Sequence, residues 1–146
     1  MTVIVYRDGI MAADSQITDD YILRGQCKKI YRAPCGALGA ATGLFAAGTR
    51  FGEWFVGGRN GNFDPKSGDR YFGALIVEAD GTLWAMDNTG TCSQFSAPWA
   101  AEGGGDQIAM GALEMGATAE QAVSVAIKHH AGCGGRIQVE RLDLAP

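Results

Sequence analysis

The sequence predicts an α+β domain, and three observations carry that prediction. Two Asp-Gly pairs, Asp8-Gly9 and Asp80-Gly81, each stand between apolar runs. Asp-Gly suits the positive φ that both central residues of a type I′ hairpin turn need, so each pair marks a β-hairpin. Between the hairpins, Leu44, Ala47, Gly48, Phe51, Trp54 and Phe55 fall on one face at helical spacing. Beyond the second hairpin, Gly103-Gly104-Gly105-Asp106 opens one helix, and Thr118-x-x-Gln121 is a capping box for another.

Taken in order, Thr2 to Arg7 and Ile10 to Asp14 are the strands of the first hairpin. Ile17 to Leu23 is a polar link with some strand character, and Gly25 to Arg32 is a strand that contains Lys29. Ala33-Pro34-Cys35-Gly36 turns the chain into Ala37 to Ala41, a strand of small residues over which something must pack closely. Thr42-Gly43 breaks it and leads into the first helix. The segment 57–70 is polar and glycine-rich and reads as a loop. Phe72 to Ala79 and Thr82 to Met86 form the second hairpin, followed by a short strand near Cys92 to Phe95 and a turn at Pro98. The last elements are helices over Gln107 to Met115 and Thr118 to about His130, then a strand over Arg136 to Leu142.

Composition narrows the function classes. A chain of 146 residues, 47% hydrophobic, is read as one domain, 1–146. A domain of that size buries about 70% of its unfolded surface. The net charge of −4 argues against a nucleic-acid partner, and no stretch is long enough to span a membrane. No basic start followed by an apolar run precedes the first strand, so a cytoplasmic location is expected. Cys27, Cys35, Cys92 and Cys133 show no C-x-x-C spacing and read as reduced and scattered. His129-His130-x-x-Cys133 offers nitrogen and sulfur, but spacing identifies no fourth ligand; no metal and no cofactor are assigned.

The chemistry lies in the first 29 residues. Thr2 stands directly behind Met1, Asp14 ends the second strand, and Lys28-Lys29 follows about one strand later. A hydroxyl is a poor nucleophile until its proton is taken, and a threonine at a chain terminus carries its own base in its α-amine. Such an amine titrates near 7.7–8.0, where a general base should sit. A neighbouring ammonium lowers that value by like-charge repulsion, and a carboxylate is needed to hold the ammonium. Lys29 and Asp14 fit those parts. A two-residue hairpin sets Thr2 opposite Ser15, with Asp14 diagonal to it, so a twist or bulge is expected to bring Asp14 onto the face of Thr2.

Together, Thr2-Val3-Ile4-Val5, Asp8-Gly9, Ala13-Asp14-Ser15-Gln16 and Gly25-Gln26-Cys27-Lys28-Lys29-Ile30 resemble the proteasome β-subunit and HslV-like family. These are N-terminal-nucleophile (Ntn) hydrolases, threonine peptidases of the T1 type. The resemblance implies a four-layer αββα sandwich, with two antiparallel sheets between helical layers. With a hairpin shorter by two residues on each strand, it places the nucleophile on Thr2, exposed by removal of Met1, and the catalytic aspartate and lysine on Asp14 and Lys29. Ala41-Thr42-Gly43-Leu44 resembles the junction whose glycine amide helps form the oxyanion hole, which implies Gly43. A peptide or unfolded-protein substrate and a homo-oligomeric assembly are implied in the same way, with an ATPase unfoldase as the further partner the resemblance suggests. The segment 57–70 stands where the family carries a second helix.

The C-terminal half departs from the family pattern. Gly104 stands where the family has a serine, and His130 and Cys133 stand where it often has an aspartate and a serine. Loss of one such hydrogen-bonding group can cost about 10²–10³ in rate, so weak activity is expected, with Cys133 as the other nucleophile to consider. Two further readings remain: an inactive proteasome-like shell or interaction protein, and an Ntn amidohydrolase acting on a small amide.

Overall fold

A computed structural model describes residues 2–19, 22–66 and 71–143. Among the described residues, eleven strands and three helices run in the order β1 (Ile4–Arg7), β2 (Ile10–Ala13), β3 (Gln16–Asp19), β4 (Ile22–Gln26), β5 (Ile30–Arg32), β6 (Leu38–Thr42), α1 (Phe45–Val56), β7 (Gly73–Val77), β8 (Leu83–Met86), β9 (Cys92–Phe95), β10 (Trp99–Glu102), α2 (Asp106–Glu114), α3 (Ala119–His129) and β11 (Gln138–Arg141). Two antiparallel sheets result, in the orders β10-β1-β2-β11 and β5-β6-β7-β8-β9, with β3 and β4 as a separate antiparallel pair. Helices α2 and α3 cover the first sheet and α1 covers the second, while the inner faces of the two sheets pack on each other. This is the αββα sandwich expected.

The first hairpin forms for the local reason its turn suggests: Asp8 and Gly9 both have positive φ, 51° and 79°. Its strands are buried on both faces, which is why Val3-Ile4-Val5 is apolar throughout instead of alternating. Ile4 and Tyr6 enter the inter-sheet core with Met11, Ala13, Leu38, Leu75 and Val77. Val3 and Val5 face the helices and meet Ala109, Leu113, Val123 and Ala126.

The close packing expected over β6 is provided by α1. The Phe55 ring lies on Gly39, where an added Cβ would come within 2.8 Å of it. Phe51, Phe55, Phe63 and Phe72 form an aromatic cluster with Trp54 at its edge, and Phe51 and Phe63 meet edge-on at 5.6 Å. Phe63 thereby pins the segment after α1 onto the helix. Within 57–66 no helix forms, and 67–70 lie outside the described residues. Leu44, expected on the buried face, is instead the residue before α1 and is exposed.

Three further differences are physical. The strand expected over Gly25 to Arg32 is two strands, β4 and β5, with 27–29 between them in no strand. The last strand is shorter than expected, Gln138–Arg141. Strand β10 has no counterpart in the sequence reading, because Trp99-Ala100-Ala101-Glu102 offers little alternation and no β-branched residue. It forms because β1 presents a free edge, with Ile4 opposite Glu102 and Arg7 opposite Trp99.

Candidate active site

Thr2, Asp14 and Lys29 come together, buried, at one end of the first sheet. Lys29 Nζ donates to Thr2 Oγ1 at 3.0 Å and to Asp14 Oδ1 at 2.8 Å. Lys29 is 7% exposed and Asp14 is fully buried, so this is an ion pair out of water. Such a pair holds only where the remaining lone pairs are satisfied. Here they are: Val3 N–H donates to Asp14 Oδ1 at 3.1 Å, and Gly134 N–H to Oδ2 at 3.0 Å.

The hairpin register puts Ile4 opposite Ala13, hence Val3 opposite Asp14. Of the twist or bulge expected, no bulge is present in this hairpin. The Asp14 carboxylate curls back to the amide of the residue it faces, and Lys29 spans the remaining gap to Thr2.

The C-terminal half shapes the site through its backbone. Gly105 N–H, at the start of α2, donates to Thr2 O at 3.3 Å. Gly103 has a φ of +107° and lies so close to Thr2 O that a Cβ there would overlap it. Only glycine meets both conditions. The neighbouring Glu102 carboxyl has its pKa pushed up, by burial first and the Asp106 charge second. Gly104 itself is exposed and offers the site no side chain.

His130 caps the end of α3, and its Nδ1 accepts from Gly132 N–H at 3.0 Å. Cys133 Sγ lies 3.8 Å from that nitrogen, on the helix side of the first sheet with Val3 and Ala126. Burial, reinforced by the Asp14 charge, pushes its thiol up to about 11. The thiolate is the nucleophilic form, and at pH 8 it is on the order of one part in a thousand at that pKa. Cys133 is thus a buried thiol held away from its nucleophilic form. Under native conditions at pH 8, iodoacetamide is expected to modify the exposed Cys35 and Cys92 and leave Cys133 untouched; peptide mapping showing Cys133 alkylated as fast as Cys35 would contradict this.

Thr2 opens onto a cleft of about 510 Å³, its open mouth included, lined by Gln16, Ile17, Cys27, Lys28, Tyr31, Ala41, Gly43, Leu44, Phe45, Gly48 and Thr49. Gly43 sits in this wall between β6 and α1, with a φ of +111°, and its N–H donates to no group among the described residues. Lys28 Nζ lies 5.4 Å from the centre of the Tyr31 ring, and Tyr31 Oη donates to Lys28 O. Burial, the largest influence on each, raises the pKa of both Cys27 and Tyr31, so both side chains are neutral near pH 7.

All four residues singled out by sequence, Thr2, Asp14, Lys29 and Gly43, thus border or support one cleft. Met1 lies outside the described residues. Sequence reasoning missed Gly134, whose backbone donor leaves no residue-type signal. It also missed Gln138, whose side chain accepts from Lys29 N–H at 2.8 Å and which reads in sequence only as a polar residue in a short strand. Among the described residues no group of three or more His, Cys, Asp or Glu could hold a metal ion, and no helix is long and apolar enough to cross a membrane.

No protein-family model and no curated protein matches the chain. Solved structures do. BPH of Thiobacillus denitrificans in complex with epoxomicin is similar with a TM-score of 0.70 and 18% identity, covering 99% of this chain and 99% of that one. A second structure of BPH of the same organism is similar with the same score and identity, covering 97% of this chain and 98% of that one. This chain shares its fold with BPH of Thiobacillus denitrificans along nearly its whole length.

Proposed function

We propose that the protein is a threonine peptidase of the proteasome-like Ntn-hydrolase type, acting on peptides or unfolded protein. The observation that carries this is the buried Lys29 ammonium, held by Asp14 and donating to the Thr2 hydroxyl at the wall of an open cleft. The fold shared with a protein solved in complex with epoxomicin supports it.

In the reaction, Met1 is removed and the Thr2 α-amine becomes free. Thr2 Oγ attacks the substrate carbonyl carbon, and the hydroxyl proton passes to the α-amine. Lys29 favours the neutral amine and steadies the developing alkoxide. Gly43 N–H donates to the oxyanion. The α-ammonium returns its proton to the leaving amine, an ester remains on Thr2, and water hydrolyses it. Homo-oligomeric assembly and a cytoplasmic setting, with or without an unfoldase partner, belong to the same proposal.

The first test is the intact mass, which shows whether Met1 is gone, followed by fluorogenic peptide turnover and epoxomicin treatment. An adduct confined to Thr2 is expected. No turnover and no adduct in protein proven to start at Thr2 would favour an inactive shell protein, and turnover of small amides alone would favour an amidohydrolase.

The cleft also anticipates selectivity. Its walls are polar and apolar in about equal measure, the charges lining it are the exposed Lys28 and the buried Lys29, and no carboxylate lines it among the described residues. Peptides with an apolar or acidic residue before the cut are expected to exceed those with lysine or arginine there by about tenfold in kcat/KM, the effect of about 1.4 kcal/mol. A peptide panel in which basic residues win would refute this.

A further inference from the structure

The segment that carries Lys29 is not held by a strand. Residues 27–29 lie between the end of β4 and the start of β5, yet Lys29 is buried, and buried backbone groups need partners. Cys27 N–H donates to Ser15 O and Lys28 O accepts from Tyr31 Oη, while one side chain serves Cys27 O and Lys29 N–H. Gln138, paired through its backbone with Ala13, sends its carboxamide across to this segment. Its Oε1 accepts from Lys29 N–H at 2.8 Å and, at 3.5 Å, from Ile30 N–H. Its Nε2 donates to Cys27 O at 2.7 Å and to Asp14 O at 3.4 Å.

Accepting from residue 29 while donating to residue 27 is the pair of bonds that a backbone residue of a parallel strand would make opposite Lys28. The carboxamide stands in for a strand that is absent. Its remaining donor reaches the backbone of Asp14, so one planar group ties together the main chains of both members of the buried ion pair. The Lys29 ammonium must meet two acceptors at once, at 3.0 and 2.8 Å, and both contacts depend on where the Lys29 main chain sits.

We propose that Gln138 is a positioning residue for the reaction, fixing the Lys29 main chain and through it the ammonium between Asp14 and Thr2. The kinetic part of this rests on the peptidase reading above; the placement of Lys29 does not. A strand glutamine whose side chain merely fills space beside 27–29 would be replaceable without consequence for the lysine.

The experiment compares protein starting at Thr2 with Gln138→Met, which keeps length and loses both polar atoms, and Gln138→Ala. Urea unfolding establishes that each variant is folded. Two readouts follow: kcat and KM on a fluorogenic peptide, and the ¹H–¹⁵N signal of the Lys29 ammonium in lysine-labelled protein, assigned with Lys29→Arg. In the folded variants kcat is expected to fall about 10–100-fold, as for a small misplacement of a reacting group, with KM within twofold. The ammonium signal is expected to move or broaden. A folded variant with kcat within twofold of wild type overturns the role in the reaction. An unmoved ammonium signal overturns the placement itself, and it does so even if the wild type turns over no peptide, which would sink only the peptidase reading. Failure of both variants to fold would also overturn it, since Gln138 would then hold the sheet together instead of placing one lysine.

Discussion

Thr2→Ala is expected to remove peptide turnover, by a factor of at least about 10³ in kcat, while Thr2→Ser keeps measurable activity. The factor is conservative, since loss of a nucleophile acting with its base has cost about 10⁶ in a serine peptidase. No second nucleophile replaces it: Cys133 faces the helix layer and its thiol is pushed up to about 11. The fold should survive, because Thr2 lies two residues before β1 and its main chain is held independently by Gly105 N–H. The check is a peptide assay on wild type and both variants, each shown by mass to begin at position 2, with thermal melts alongside. Turnover in Thr2→Ala equal to wild type would end the terminal-threonine mechanism. In the same assay Gly104→Ser is expected to raise the wild-type rate if the absent hydroxyl limits it.

For Asp14→Asn, loss of activity together with a destabilisation of about 3–5 kcal/mol is expected, the usual cost of leaving one member of a buried ion pair without its partner. Asp14 is fully buried, and its two oxygens accept from Lys29, Val3 and Gly134. Asparagine can keep some of those acceptors but cannot neutralise the ammonium. For a domain of this size each kcal/mol moves Tm by roughly 2–4 °C. The double variant Asp14→Asn with Lys29→Met separates this cause from lost packing. Removing the stranded charge should recover at least about 1–2 kcal/mol, the coupling expected of residues in direct contact. Additive losses in urea unfolding would show that the pair does not hold the site.

Much of the fold was legible in the sequence because its signals are local. Asp8-Gly9 sets its own turn through two positive φ angles, α1 follows from apolar spacing, and the Thr118–Gln121 capping box forms as read. The same locality explains the misses. Strand β10 has weak propensity and exists because β1 offers it an edge. The break at 27–29 is invisible in a stretch whose composition suits a strand.

The sequence by itself determined which groups are available: a threonine behind Met1, a carboxylate at the end of the second strand, a lysine beyond it, and a glycine at the break before the first helix. Only the tertiary structure decided how they meet. The carboxylate is turned by the amide of Val3 and capped by Gly134, 120 residues away, and the lysine main chain is placed by Gln138, 109 residues away. Those partners are backbone groups and one amide, ordinary residue types that carry no chemical signature. Their roles arise when two sheets pack and bring distant main-chain donors and acceptors into a space that excludes water, where every polar group must find a partner.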